Sequence, residues 1–84
     1  MKFKELLGNE LNKFLKKKIY DFKFSQRALN FFYSNNINYI NDLIQFRAED
    51  ILINPQIGRK TLDEIESFLS SYGLYLGMET NIDT

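Results

Sequence analysis

The chain has no cysteine and no histidine among its 84 residues. Without cysteine there are neither disulfides nor thiolate zinc sites, and a cytoplasmic setting is the expectation. Without histidine, the commonest general base and the commonest metal ligand are missing together. No run of about eighteen apolar residues exists, which excludes a membrane-spanning helix. The N-terminal region also lacks the apolar stretch and small-residue cleavage site of a signal peptide. Charge of neither sign is in excess, because eleven Lys and Arg balance eleven Asp and Glu. That neutrality argues against strong nonspecific binding to polyanions but leaves room for a local basic patch. No metal or other cofactor is expected.

What is present is apolar and aromatic. With 44% hydrophobic and 15% aromatic residues, the protein can bury a modest core and is too apolar to be disordered. Its length suits one small domain. The balanced charge hides a gradient: residues 1–23 carry seven lysines against three acids, and residues 63–84 carry five acids and no Lys or Arg.

Phe3, Leu7, Leu11 and Phe14 recur at helical spacing through residues 1–18, widened by Leu6 and Leu15. Lys13, Lys16, Lys17 and Lys18 fall near the end of that helix, where cations suit its dipole. Gly8 and Asn9 weaken its middle and predict a bent or short helix. The pattern fits a core-packing amphipathic helix; membrane-surface binding, phosphate contact and partner docking are the functional alternatives. Self-association through residues 1–18, giving a homodimer, is a further expectation. Residues 19–24, IYDFKF, read as a packed connector rather than a strand, since no partner strand is in sight.

Ser25 reads as the N-cap of a helix from Gln26 to about Asn36. On a wheel of 100° per residue, Ala28, Leu29 and Phe32 point one way, and Arg27, Asn30, Phe31 and Ser34 the other. Asn35, Asn36 and Asn38 mark a turn. Two short helices follow at residues 39–46 and 48–53, closed by Pro55. Leu62, Ile65, Leu69 and Tyr72 then define a longer helix from about Arg59 to Tyr72, with Gly73 as its C-cap. The fold class is therefore all-α. The start of this last helix is unusual: Arg59 and Lys60 crowd an end that already carries partial positive charge. Gly58, two cations and the Thr61 hydroxyl beside unpaired backbone N–H groups describe an anion site, with phosphate the expected anion.

Taken together, residues 22–78 resemble the C-terminal domain of the bacterial RNA polymerase α subunit. Arg27 and Asn30 match its R-x-x-N step, and Ile37, Tyr39-Ile40 and Asp42-Leu43 follow its interhelical pattern. Ile57-Gly58-Arg59-Lys60-Thr61-Leu62 matches its (L/I)-G-(K/R)-K-(S/T)-L segment. Glu64-Ile65, Gly73-Leu74 and Leu76-Gly77-Met78 continue the match to its closing signature. The resemblance implies a bundle of four to five short helices with a helix–hairpin–helix-like element, preceded here by an extra N-terminal amphipathic helix. It divides the sequence into an N-terminal helix and connector (1–21), the family-like domain (22–78) and a frayed tail (79–84).

The resemblance also implies docking on the minor groove of A/T-rich double-stranded DNA, with RNA polymerase, sigma factor or transcription regulators as protein partners and a nucleoid-associated location. Carried over by position, the DNA face is Arg27, Asn30, Gly58, Lys60 and Thr61, with Phe31 lying on the same face. A guanidinium suits a narrow, electronegative minor groove, and Lys60 with the Gly58 amides suits flanking phosphates. Departures exist. Tyr33 stands where the family commonly has another lysine, Arg47 where it often has a capping Thr or Ser, and Lys23 near a region acidic in many members and used for sigma contact. The family domain ends a longer polypeptide, so a free-standing relative and a fragment are both open readings.

Two functions compete. One is a DNA-binding transcription module. The other is a protein-interaction module with the same fold, using Tyr20, Phe22, Phe31 and residues 1–18 against polymerase, sigma or a regulator without binding DNA. Catalysis is not expected: Asp63, Glu64 and Glu66 form an acidic cluster, but on the polar side of a helix and with no His or Cys to work with.

Overall fold

From Ser25 onward, each described helix is stopped or started by a residue whose chemistry is visible in the sequence. The computed structural model describes residues 8–79. Among these it contains five α-helices: α1 (Gly8–Leu15), α2 (Gln26–Ser34), α3 (Ile40–Ile44), α4 (Ala48–Leu52) and α5 (Arg59–Ser70). A single 3₁₀ turn, Ile19–Asp21, lies between α1 and α2. Of the helix expected over residues 1–18, the described part is α1, which ends at Leu15 rather than Lys18; Phe3, Leu6 and Leu7 fall outside the described residues.

Ser25 is extended and its hydroxyl accepts from the Ala28 N–H at 3.2 Å, so the N-cap of α2 is as expected. At the other end Asn36 takes a left-handed conformation, φ 57°. The Ile37 N–H then reaches back to the Phe32 carbonyl at 2.8 Å and the Asn36 N–H to that of Tyr33 at 3.3 Å. α5 ends the same way. Gly73, at φ 78°, lets the Leu74 N–H reach the Leu69 carbonyl at 2.9 Å while its own N–H reaches that of Ser70 at 2.9 Å. Both are Schellman closures, each followed by a buried aliphatic residue, Ile37 or Leu74. The two short helices share a different device. The carboxylate of Asp42 accepts from the N–H groups of Asn38 and Tyr39, both at 3.0 Å, and that of Asp50 from the Arg47 N–H at 3.1 Å. Arg47 has no hydroxyl to offer, and the Asp50 N–H donates to the Arg47 carbonyl at 3.0 Å while the Asp50 carboxylate serves the Arg47 N–H.

One core joins every element. Leu15, Ile19, Ala28, Phe32, Ile37, Ile40, Leu43, Ile44, Ile51, Ile65 and Leu69 are fully buried. Leu15 and Ile19 lie on the N-terminal side of the division expected at residues 21/22, yet they share this core. The connector packs too. Phe22 and Phe24 set their rings edge-on to Phe68 at 5.1 and 4.8 Å, and Phe14 of α1 meets Tyr72 at 4.5 Å. Leu11 and Phe14, half the stripe proposed for self-association, are thus committed to the protein's own core. The connector also has a partner after all. An antiparallel bridge pairs Lys18 with Tyr39, through Ile19 N–H to the Asn38 carbonyl at 2.8 Å and Ile40 N–H to the Lys17 carbonyl at 3.0 Å.

Phe31 departs from expectation. It is 2% exposed, its ring edge-on to those of Phe32 and Phe46. On the wheel it lies about 40° from Arg27 and about 60° from Ala28, at the border of the apolar face. Burying a phenyl ring gains roughly 2–3 kcal/mol, so the core turns toward Phe31 and leaves Leu29 half-buried at the other border. Replacing Phe31 by Ala is expected to cost about 3–5 kcal/mol, whereas Tyr33→Ala, on the solvent side, should change stability by no more than about 0.5 kcal/mol. Urea denaturation of both variants checks this. Equal, small effects would put Phe31 back at the surface.

Candidate nucleic-acid interface

The loop between α4 and α5 is built by Asn54. Its N–H donates to the Ile51 carbonyl at 3.0 Å, its carbonyl accepts from Ile57 N–H at 3.0 Å, and its side-chain oxygen accepts from Gln56 N–H at 2.9 Å. Pro55 occupies the bend, where no N–H is required. Ile57 drops into the core and anchors the loop, so Gly58 arrives as the N-cap of α5 at a fixed place. Gly58 itself is extended, φ −98° and ψ 178°, and a Cβ added there would meet nothing within 4 Å. Neither backbone strain nor crowding within the protein demands a glycine. What the glycine does is keep the space over the first-turn amides of α5 open. α4, this loop and α5 make up the helix–hairpin–helix-like element.

A carboxylate from α5 holds α2 beside that element. Glu64 accepts from the Ser25 N–H at 2.6 Å and from the Ser25 hydroxyl at 2.7 Å. Ser25 thus caps α2 with its hydroxyl oxygen while its two donors are taken by α5. The result places the first turn of α2 against the first turns of α5. Arg27 stands between two open clefts, one shared with Lys60, Thr61, Asp63 and Glu64, the other with Asn30 and Gln56. Arg27, Asn30, Lys60 and Thr61, scattered over 35 positions of sequence, are therefore neighbours around these clefts.

Individual positions differ from the simple anion-site picture. Thr61 is only 6% exposed. It belongs to the core side of α5, about 40° from Ile65 on the wheel, and lies in the floor of the groove rather than on its rim. Phe31 lies beneath the site in the core and does not reach it. Asp63 and Glu64 share the groove with Arg27 and Lys60, so its floor is mixed in charge. The positive character belongs to the rim, where Arg27, Arg59 and Lys60 are all exposed. Asn30 accepts from the Gln26 side-chain amide at 2.9 Å. With its oxygen engaged, Asn30 has its NH₂ group to offer outward, a donor suited to the acceptor-lined minor groove of A·T pairs.

Gln26, Gln56 and Glu64 escaped the sequence reading as site residues. Gln56 follows Asn-Pro in a loop, a position that marks a turn but no chemistry. Glu64 and Ser25 are 39 residues apart, and no local periodicity announces such a bond.

The domain is thus all-α with a helix–hairpin–helix-like element, an arginine and an asparagine on one helix, and an open glycine N-cap on another. The family model for the C-terminal domain of the bacterial RNA polymerase alpha subunit matches residues 7–71, and the protein belongs to that family. The match takes in α1, beyond the 22–78 span of the resemblance. The family is a non-catalytic DNA-binding and interaction domain of RNA polymerase. Among the described residues no helix is long and apolar enough to cross a membrane.

Glu64→Ala removes the acceptor for both Ser25 donors and is expected to lower stability by about 1–2 kcal/mol. Gly58→Ala, placed in open space, should stay within about 1 kcal/mol of wild type. Thermal unfolding followed by far-UV circular dichroism separates the two; a Gly58→Ala protein as damaged as Glu64→Ala would mean the glycine serves the fold.

Proposed function

We propose that this domain is a DNA-binding transcription module that docks on the minor groove of A/T-rich duplex, in company with RNA polymerase, sigma factor or a regulator, in the nucleoid-containing cytoplasm. The observation that carries the reading is the convergence on Arg27. Two helices and a loop, joined by the Glu64–Ser25 clamp, bring Asn30, Gln56 and Lys60 around one guanidinium. In this reading Arg27 enters the groove, where A/T-rich sequence narrows the walls and deepens the negative potential. Asn30 and Gln56 offer amides to base-edge acceptors. Lys60 and the amides following Gly58 hold a phosphate and fix the docking angle without reading sequence.

The competing reading, a protein-interaction module that leaves DNA alone, loses two of its expected contacts, because Phe31 is buried and Phe22 is packed against Phe14 and Phe68. Tyr20 stays available to it.

The test is fluorescence anisotropy with labelled A/T-rich and G/C-rich duplexes at low salt. Wild type should prefer the A/T-rich duplex, Arg27→Ala should lose that preference, and Lys60→Ala should weaken both duplexes alike. Two or three phosphate contacts at this end would give a log–log salt slope of roughly −2 to −3. Absence of binding to either duplex near millimolar protein, with capture of polymerase or sigma, would replace this reading by the competing one.

A further inference from the structure

Gln26 is the first helical residue of α2 and takes no part in the minor-groove reading. It is exposed, it lines the cleft of Lys60 and Thr61, and its side chain spans one turn to reach Asn30 in the other cleft. Gln26 gives an N–H, and Asn30 receives it on its side-chain oxygen at 2.9 Å. The direction of that bond has a physical origin. Left alone, an asparagine in a helix can turn its NH₂ onto the backbone carbonyl one turn back. Asn35, which caps the far end of the same helix, does so: its NH₂ donates to the Phe31 carbonyl at 2.9 Å. At Asn30 the arrangement is reversed, because Gln26 brings a donor to the oxygen and leaves the NH₂ outside.

A concerted flip of both amides would keep the bond and undo the effect. Against it stands the place of Gln26, at the positive end of α2 and in a cleft that also holds Arg27 and Lys60. There an amide oxygen is held more favourably than an NH₂. Of the two carboxylates lining the same cleft, Glu64 has both oxygens engaged by Ser25, which leaves Asp63 against two cations. The Gln26 oxygen therefore stays with the positive charge and its NH₂ goes to Asn30. Which atom Asn30 shows decides what it can read. A·T and T·A pairs offer only acceptors to the minor groove, and a G·C pair adds an amino donor. An outward NH₂ bonds to the first and meets a second donor in the other; an outward oxygen reverses the two outcomes.

We propose that Gln26 is a positioning residue for base discrimination. By holding the Asn30 oxygen, it makes Asn30 a reader of minor-groove acceptors and a barrier to the guanine amino group. The inference rests on the DNA reading of the preceding subsection. It goes further in tracing part of the A/T preference to a side chain behind the contact, which acts by setting the direction of an amide.

The experiment is anisotropy with an A/T-rich duplex and with a duplex of the same sequence in which diaminopurine replaces adenine, a change that adds only the minor-groove amino group. Wild type, Gln26→Glu, Gln26→Leu, Asn30→Ala and the double variant Gln26→Glu/Asn30→Ala are compared, each checked for native circular dichroism. α2 has no acid in its first turn, so a glutamate suits that helix end and the fold is kept. A carboxylate can only accept, so in Gln26→Glu the Asn30 NH₂ turns inward to it and the oxygen turns out. The preference for the plain duplex, taken as a ratio of affinities so that the added charge cancels, should fall about 3- to 10-fold. Gln26→Leu, which is neutral, should lower it in the same direction by about 2- to 3-fold. In the Asn30→Ala background, Gln26→Glu should leave the ratio unchanged. If Gln26→Glu and Gln26→Leu both keep the wild-type ratio, Gln26 positions nothing and the minor-groove reading stands without it. If the ratio falls equally with and without Asn30, the glutamate acts by its charge or its own contact, and the proposal is refuted. If wild type binds neither duplex, or both alike, the A/T reading falls and this one falls with it.

Discussion

A glutamate on α5 and the serine that begins α2 settle the geometry on which this domain's surface depends. Helix α2 has to be capped, and Ser25 caps it with a hydroxyl oxygen. The same hydroxyl has a proton to give, the serine backbone has another, and both go to Glu64. A helix N-terminus is a natural seat for a carboxylate, so one side chain of α5 meets both the capping residue and the positive end of α2. Hydrophobic packing brings the two helices together but is tolerant of rotation and sliding. The clamp is directional and removes that tolerance. It thereby decides where Arg27, two residues after Ser25, stands in relation to Lys60, four residues before Glu64.

Much of the fold was legible because it is written in local chemistry. Ser25, the asparagines at 35 and 36, and Gly73 each act within a few residues of their place, and the apolar spacing of α5 depends only on the pitch of a helix. The borders of the apolar faces were harder. Phe31 and Thr61 lie near the edges of their wheels, and which way an edge residue turns depends on what faces it across the core: Phe46 for one, the groove between α2 and α5 for the other. Periodicity gives the direction of a face to within a residue or so, and a ring at the border is drawn inward by its area. The pairing of Lys18 with Tyr39 and the Glu64–Ser25 bonds were not legible at all, since each joins segments more than twenty residues apart through one pair of hydrogen bonds.

α1 changes how the domain is to be thought of. Its stripe fits a core-packing helix, and Leu11, Phe14 and Leu15 meet Phe22, Tyr72 and the rest of the core. From α1, Leu15 is fully buried in the core and Leu11 and Phe14 pack against it. The family match reaches back to residue 7 and so takes in α1.

One consequence follows from the way α5 is used at its two extremes. Its first turn lines the cleft with Arg27 and Lys60, while Phe68 in its last turn, with Tyr72 just beyond it, is sewn into the aromatic stack that holds α1 and the connector. The two ends are joined: Glu64, one turn before Phe68, holds Ser25, and Phe24 beside Ser25 sets its ring edge-on to Phe68 at 4.8 Å. Sites that share partners in this way do not contribute additively. A change in the aromatic seam that moves Phe24 therefore also moves the start of α2, the turn that carries Arg27.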